Sequence, residues 1–293
     1  MEDFFNKLRL RYKQGSVLLK LIYINVAVFI IIRLLAVFLT LFNWDTLNFL
    51  SYVEVPSSLS VLLIRPWTLI TYMFVHYEIL HILFNMLWLY WFGVIFLQYF
   101  GEKQMGGLYI LGGLAGAVFY IISYNVFPYF SGHQGMMCGA SASVIAIVVA
   151  TAMRVPDYKV NLLFLGAISL KYIAIVTILI DLLSVTSGNG GGHIAHLGGA
   201  CLGVLFMYRW KNGKDITRPV NRIIDYLATV FKPGIKIKIK HKKNRRPETD
   251  MEYRERKNRE NNEIDAILDK IKKSGYNALS SDEKKRLFDA GKK

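Results

Sequence analysis

The chain has 293 residues, is 53% hydrophobic and carries a formal net charge of +15. Its positive mean hydropathy of +0.32 suits a polytopic membrane protein better than a soluble domain built around one core. Residues 1–208 hold 11 Lys and Arg against 8 Asp and Glu, whereas residues 209–293 hold 25 against 13, so the basic character belongs to a tail.

Six stretches are apolar enough to span: residues 17–42, 78–99, 105–124, 139–153, 172–185 and 193–208. The first follows Lys7, Arg9, Arg11 and Lys13 and has no small-residue cleavage site nearby, so it reads as a retained signal anchor. The loop 43–67, with Trp44, Phe49, Tyr52, Leu59, Leu62 and Trp67, is too polar to span and too apolar to float free. It is expected either to lie in the outer interface or to pack on the bundle as an irregular connector. The last three stretches fall short of the ~20 residues a full span needs. Neighbouring protein must then cover their ends, which leaves room for a water-filled notch. Lys103 follows the second stretch and Arg154 and Lys159 the fourth, while the outer loops between spans carry Arg65 alone. This bias places both termini in the cytoplasm. Cys138 and Cys201 form neither a metal nor a disulfide pattern.

Beyond Tyr208, Val220, Ile223, Ile224, Leu227, Val230 and Phe231 recur at helical spacing and predict a short amphipathic helix ended by Pro233-Gly234. In the run from Ile235 to Lys243, isoleucines and lysines alternate; the lysines would each gain about 1 kcal/mol against anionic lipid beside a membrane exit. A short strand fits the same alternation, and nucleic acid is the less fitting partner. Residues 244–261 read as a disordered linker. Residues 263–273 predict a helix with Ile264, Ile267, Leu268 and Ile271 on one face, closed by Gly275 and followed by a capping box from Ser280 to Glu283. Two such helices bury too little to stand alone and suggest a docking hairpin. The expected division is thus 1–16, 17–209, 210–261 and 262–293.

Ser141 heads the fourth stretch thirteen residues before Arg154, and His196 lies thirteen residues before Arg209 in the sixth. If each arginine marks the cytoplasmic edge, both lie about 20 Å above it at ~1.5 Å per residue. Polar groups at matched depth in hydrocarbon are functional candidates, and a serine with a histidine is a minimal nucleophile and base. At a helix start, Ser141 sits beside unpaired N–H groups that favour an oxyanion. It can also be read as a cap, or as part of a packing face with Ala142, Ala146 and Ala150. Ser143, the rival nucleophile, points about 200° away around the helix. His196 continues into Gly199 and Gly203, a stripe that puts it at a helix–helix contact, where a core histidine bonded to a carbonyl is the plainer reading. His193 lies nearer the outer end and reads as solvated. His81 and Asn85 stack on one face of the second span, near the level of Ser141. An amide there can bind an oxyanion or make an interhelical bond worth about 1 kcal/mol. His76, Glu78 and His81 miss the zinc-protease spacing, since the histidines are five apart rather than four. No aspartate is placed to orient the histidine: Asp181 lies toward the outer end of the fifth span, among neighbours that match no motif. No metal, nucleotide or other cofactor site is visible.

Together, Gly139-Ala140-Ser141-Ala142, Ala195-His196-Leu197-Gly198-Gly199 and the His76, His81, Asn85 set resemble the rhomboid intramembrane serine proteases over about residues 17–209. The resemblance implies an all-α polytopic bundle of six transmembrane helices with a basic cytoplasmic tail. It implies Ser141 as nucleophile, His196 as base, and His81 and Asn85 at the oxyanion site. Transmembrane protein helices, cut near the outer face, would be the substrates. Membrane lipids with anionic headgroups would be the tail's partner, with no nucleic acid and no cofactor. The expected setting is a bacterial inner membrane. Three departures stand out. Trp67-Thr68 replaces a common Trp-Arg pair, which unsettles how the outer loop is anchored. Ala142 replaces a glycine. Ile145 replaces an aromatic that stacks on the histidine, which leaves the orientation of His196 less secured. A silent rhomboid-like client binder is the main competing class, and the presence of both Ser141 and His196 argues against it. A channel or transporter would show inverted repeats or broken helices with paired charges, and none is found.

Overall fold

The computed structural model describes residues 14–162, 166–230 and 249–291, in two compact units, residues 1–232 and 233–293. The first unit contains α1 (Val17–Leu41), α2 (Ile79–Tyr99), α3 (Glu102–Val126), α4 (Ser141–Arg154), α5 (Leu170–Leu183), α6 (Gly190–Lys211) and α7 (Arg218–Val230). Four of these, α1, α2, α3 and α6, are long and apolar enough to cross a membrane. The other two expected spans, α4 and α5, have 14 residues each. At ~1.5 Å per residue they reach about 21 Å, short of the ~30 Å hydrocarbon core. Apolar side chains such as Ile31, Leu34, Leu83, Phe84 and Leu183 stay exposed on the outside of the bundle, as a lipid-facing surface requires.

The short α4 is the central element. Every residue from Ala142 to Ala152 is buried, against α2, α3, α5 and α6. A helix that is small and apolar all round suits such a site. Close approach depends on glycines in its neighbours. A Cβ at Gly112 of α3 would lie 2.6 Å from the Ala146 methyl, and one at Gly116 would lie 2.5 Å from that of Ala142. On α6, a Cβ at Gly199 would lie 2.1 Å from the carbonyl oxygen of Ala142, and one at Gly203 2.6 Å from that of Ala146. Backbones therefore touch along this seam, the small-residue packing that membranes use where apolar burial drives little association.

The sixth stretch is not short. It begins at Gly190 and has 22 residues, because Gly190, Gly191 and Gly192 form its first turn. Glycine's poor helix propensity hides this start. Packing overrides it: a Cβ at Gly190 would meet the Val185 carbonyl at 2.1 Å, and one at Gly191 the Tyr120 ring at 2.7 Å.

The loop 43–67 packs on the bundle while exposing Trp44, Phe49 and Leu59. Its anchor differs from a Trp-Arg pair. The Arg65 guanidinium lies 3.7 Å over the Tyr52 ring, Trp67 Nε1 donates to Tyr52 O at 2.8 Å, and Thr71 Oγ1 donates to Val53 O at 2.9 Å. The same loop carries β1 (Val55–Pro56), paired antiparallel with β2 (Met136–Met137) just before α4. An unexpected antiparallel pair, β3 (Lys159–Leu162) and β4 (Gly166–Ser169), links α4 to α5.

The amphipathic α7 forms as expected and docks on the start of α3. Lys103 Nζ and Asp225 Oδ2 are 2.6 Å apart, and a Cβ at Gly107 would strike Thr217. Ile223, Ile224, Leu227 and Val230 are exposed. The expected stop at Pro233-Gly234 and the Ile-Lys run lie outside the described residues.

In the second unit the expected linker is wrong from Asp250 onward. Helix α8 (Asp250–Ser274) runs through the anticipated boundary at 261/262. Its first half lacks an apolar stripe. A capping box between Thr249 and Glu252 and an Arg256–Glu260 pair one turn apart support it locally. Gly275 closes the helix at φ +77°, and a second capping box, Ser280 with Glu283, opens α9 (Ser281–Ala290). Ile267 and Leu279 are buried, whereas Leu268 is 48% exposed and leaves the expected face. Lys270–Glu283 and Arg286–Glu263 ion pairs join the two helices.

Candidate active site

The segment leading into α4 is held from several sides. The Tyr72 hydroxyl donates to Gly113 O of α3 at 2.6 Å, and the Tyr72 carbonyl accepts the Gly139 N–H at 2.9 Å. His76 is buried, and its Nε2 accepts the Ala140 N–H at 3.3 Å. Burial, and next the neighbouring His81, pull the His76 imidazole down to about 4, so at neutral pH the ring is uncharged and free to accept. Gly139 has φ +125°, a conformation that disfavours any side chain. A Cβ there would also lie 2.8 Å from His81 Cε1, so this glycine lets the His81 ring rest against the turn.

Helix α4 then starts at Ser141, whose N-cap, Ala140, supplies no side-chain cap. Contact of Gly199 with Ala142 sets His196, about one turn earlier on α6, opposite this point. His196 Nε2 lies 2.6 Å from Ser141 Oγ. The predicted pair therefore meets across the α4–α6 seam. Ser143 is fully buried against Gly112 and Gly113 and faces away from the cavity.

Two readings of the histidine surroundings need correction. Asp181 does reach His196: its Oδ1 is 2.8 Å from His196 Nδ1. His193 is not simply solvated, because its Nδ1 lies 2.8 Å from the same Oδ1. An ionised carboxylate only accepts, so with Asp181 ionised both Nδ1 atoms would donate to it and His196 Nε2 would be left to accept from the Ser141 hydroxyl. Asp181 supplies the orientation that Ile145 cannot. The ligand atoms of Asp181, His193 and His196 lie within 4.8 Å of one another, as a metal set would. The 2.8 Å N–O separations are those of hydrogen bonds, however, and are shorter than the ~3.3 Å between ligands of a tetrahedral zinc.

Ser141, His196, Asp181, His81 and Asn85 line one cavity of about 1060 Å³. Asn85 is buried and donates one amide N–H to His81 O at 3.0 Å; an amide has a second N–H for a ligand. Cys138 also lines the cavity. Burial, with the Glu54 carboxylate beside it, pushes its thiol up to about 12, so no thiolate competes with Ser141 at neutral pH. Asp181, His193 and His76 are residues that sequence reasoning named without giving them a place in the site. The available signal for Asp181 was a lone carboxylate in an otherwise apolar helix.

Fold and site together define an integral membrane protein, a helical bundle around a half-buried Ser–His pair that opens on a cavity. Residues 64–211 match the Rhomboid domain, half of the chain, and the chain belongs to the rhomboid family. Residues 248–293 match a family of unknown function, DUF6576. The chain is 34% identical over 161 residues to RHOMBOID-like protein 12, mitochondrial, of Arabidopsis thaliana, covering 51% of this chain and 48% of the relative. It is 31% identical over 137 residues to presenilin-associated rhomboid-like protein A, mitochondrial, of Danio rerio, covering 46% and 35%. The human presenilin-associated rhomboid-like protein, mitochondrial, is 27% identical over 206 residues, covering 66% and 49%. The chain thus spans half or less of the length of these relatives. Their mitochondrial names count against the bacterial inner membrane expected from the sequence.

Proposed function

We propose that the protein is an intramembrane serine endopeptidase that cuts transmembrane protein helices with Ser141 and His196. The observation that carries this reading is the 2.6 Å contact between Ser141 Oγ and His196 Nε2 at the wall of the cavity. His196 Nε2 takes the hydroxyl proton as Ser141 Oγ attacks a peptide carbonyl carbon. The resulting oxyanion is held by the first N–H groups of α4, which lack intrahelical acceptors, and by Asn85 and His81. Collapse of this intermediate breaks the C–N bond, and the imidazolium returns its proton to the leaving amine. Water from the cavity then attacks the acyl-enzyme with His196 again as base, and the carboxylate product and Ser141 are released. In the topology we propose, α4 and α5 count with the four long helices as six membrane elements. Both ends of the chain then lie on the Lys/Arg-rich side, and the cavity opens on the other.

The reading is tested by reconstituting the purified protein with a transmembrane reporter in liposomes and mapping the cut. The expected result is cleavage near the end of the reporter helix that faces the cavity side. A cut confined to soluble loops, or none under any lipid condition, would overturn it. Asn85→Ala is expected to lower kcat by about 10–100-fold, since other donors share the oxyanion. Unchanged turnover together with a lower melting temperature would instead make Asn85 a packing residue.

The tail is proposed to contact anionic lipid rather than to take part in the chemistry. Because Thr217, just ahead of α7, and Asp225 within it pack on α3, a truncation after Lys214 would strip the bundle, so the informative cut is after Lys232. That truncated protein is expected to cleave the reporter within about threefold of the full chain. A truncated protein that folds and does not cleave would place the tail in the active machinery.

A further inference from the structure

Asp181 belongs to α5, whereas both its partners belong to α6. Its side chain is only 6% exposed, and its Oδ1 lies 2.8 Å from Nδ1 of His196 and 2.8 Å from Nδ1 of His193. Placing a carboxylate in an apolar membrane helix is costly unless it is paired, and this one is paired twice, on a single oxygen.

We infer that Asp181 is a positioning residue for the proposed proteolysis: it fixes His196 in the tautomer whose Nε2 faces Ser141 and stabilises the imidazolium formed during the reaction, while His193 clasps the same carboxylate in place. The inference rests on the serine-protease reading of the site. Three physical points support it. A neutral imidazole has one N–H, and the hydrogen bond at one nitrogen decides which state the other takes. With its proton donated from Nδ1 to Asp181, His196 presents a lone pair at Nε2, 2.6 Å from the Ser141 hydroxyl. When Nε2 takes that proton, a positive ring forms at hydrogen-bond distance from a negative carboxylate in a partly dry site, where such pairing is strong. The second histidine has a separate use. Two residues three apart on a helix share a face, so His193 braces Asp181 from one turn earlier on α6 and restrains rotation of the carboxylate away from His196.

The test compares wild type, Asp181→Asn, Asp181→Glu and His193→Ala as full-length protein in detergent and in liposomes. Asp181→Asn keeps the shape and removes the charge. Its kcat is expected to fall roughly 10²-fold, with KM for the transmembrane reporter nearly unchanged. Asp181→Glu should recover part of that loss, and His193→Ala should cost less than Asp181→Asn. Nitrogen-15 spectra of histidine-labelled protein supply a readout independent of activity. Wild-type His196 should carry its proton on Nδ1, and Asp181→Asn should shift it toward Nε2. A wild-type-like kcat and tautomer in Asp181→Asn would overturn the inference. So would a loss explained wholly by KM or by a lowered melting temperature. Should wild type itself neither cleave nor react with a serine-directed probe, the protease reading fails, whereas the tautomer result still decides what Asp181 does.

Discussion

Ser141→Ala is expected to reduce cleavage of a transmembrane reporter to background, a loss of at least about 10⁴-fold if Ser141 is the nucleophile, without harming the fold. The substitution deletes one oxygen at the first residue of α4. That oxygen bonds to His196 and does not cap the helix, since the N-cap is Ala140 and lacks a side-chain cap bond. Alanine is the better helix former, and it keeps the serine's Cβ while adding no atom to the site. Time courses in liposomes, paired with thermal melts, check both halves. Persistent cleavage at even one-hundredth of the wild-type rate would point to another nucleophile. Loss of folding would make the serine structural.

The second large effect is expected at a residue with no chemistry. At Gly199 a Cβ would lie 2.1 Å from the Ala142 carbonyl oxygen and 2.9 Å from its carbon. Both are backbone atoms, with no flexible side-chain end to yield. Gly199→Ala must therefore push α6 off α4 by about 1 Å, at a cost of roughly 1–3 kcal/mol of overpacking. The same shift opens the 2.6 Å contact between His196 and Ser141, and a misplacement of about 1 Å can reduce rate by about 10². Gly106→Ala is the control. It sits in α3, where a Cβ would meet only the end of Val17 at 3.4 Å, so activity should hold and stability should rise slightly. Equal activity in Gly199→Ala and Gly106→Ala would remove the seam from the account.

Hydropathy located the six apolar helices to within a few residues; for the four long enough to cross, lipid imposes that length and composition, and for α4 burial inside the bundle imposes the same apolar character. Ser141 and His196 were legible from their matched depth above Arg154 and Arg209, and the glycines at 199 and 203 announced a close contact on the histidine's face. What stayed hidden depends on which faces of α5 and α6 turn toward each other. Asp181 is fifteen residues from His196 in sequence, and only the rotation of α5 about its axis brings the two together. The glycine turn at 190–192 and the polar first half of α8 were missed for a different reason. In both, tertiary packing or capping makes a helix where propensity and apolar periodicity do not. His76 entered the sequence reading as part of the His76, His81, Asn85 set but without a role; it accepts the Ala140 N–H and so supports the turn on which Ser141 stands.

The central claim is that Ser141 is a nucleophile activated by His196, and covalent labelling tests it most directly. Detergent-solubilised protein would be incubated with a fluorophosphonate probe and the adduct located by mass spectrometry of proteolytic fragments. The account predicts a single adduct on Ser141 in wild type, retained in Ser143→Ala and lost in both Ser141→Ala and His196→Ala. An adduct on another residue, or labelling of Ser141 that proceeds at the wild-type rate in His196→Ala, would contradict it.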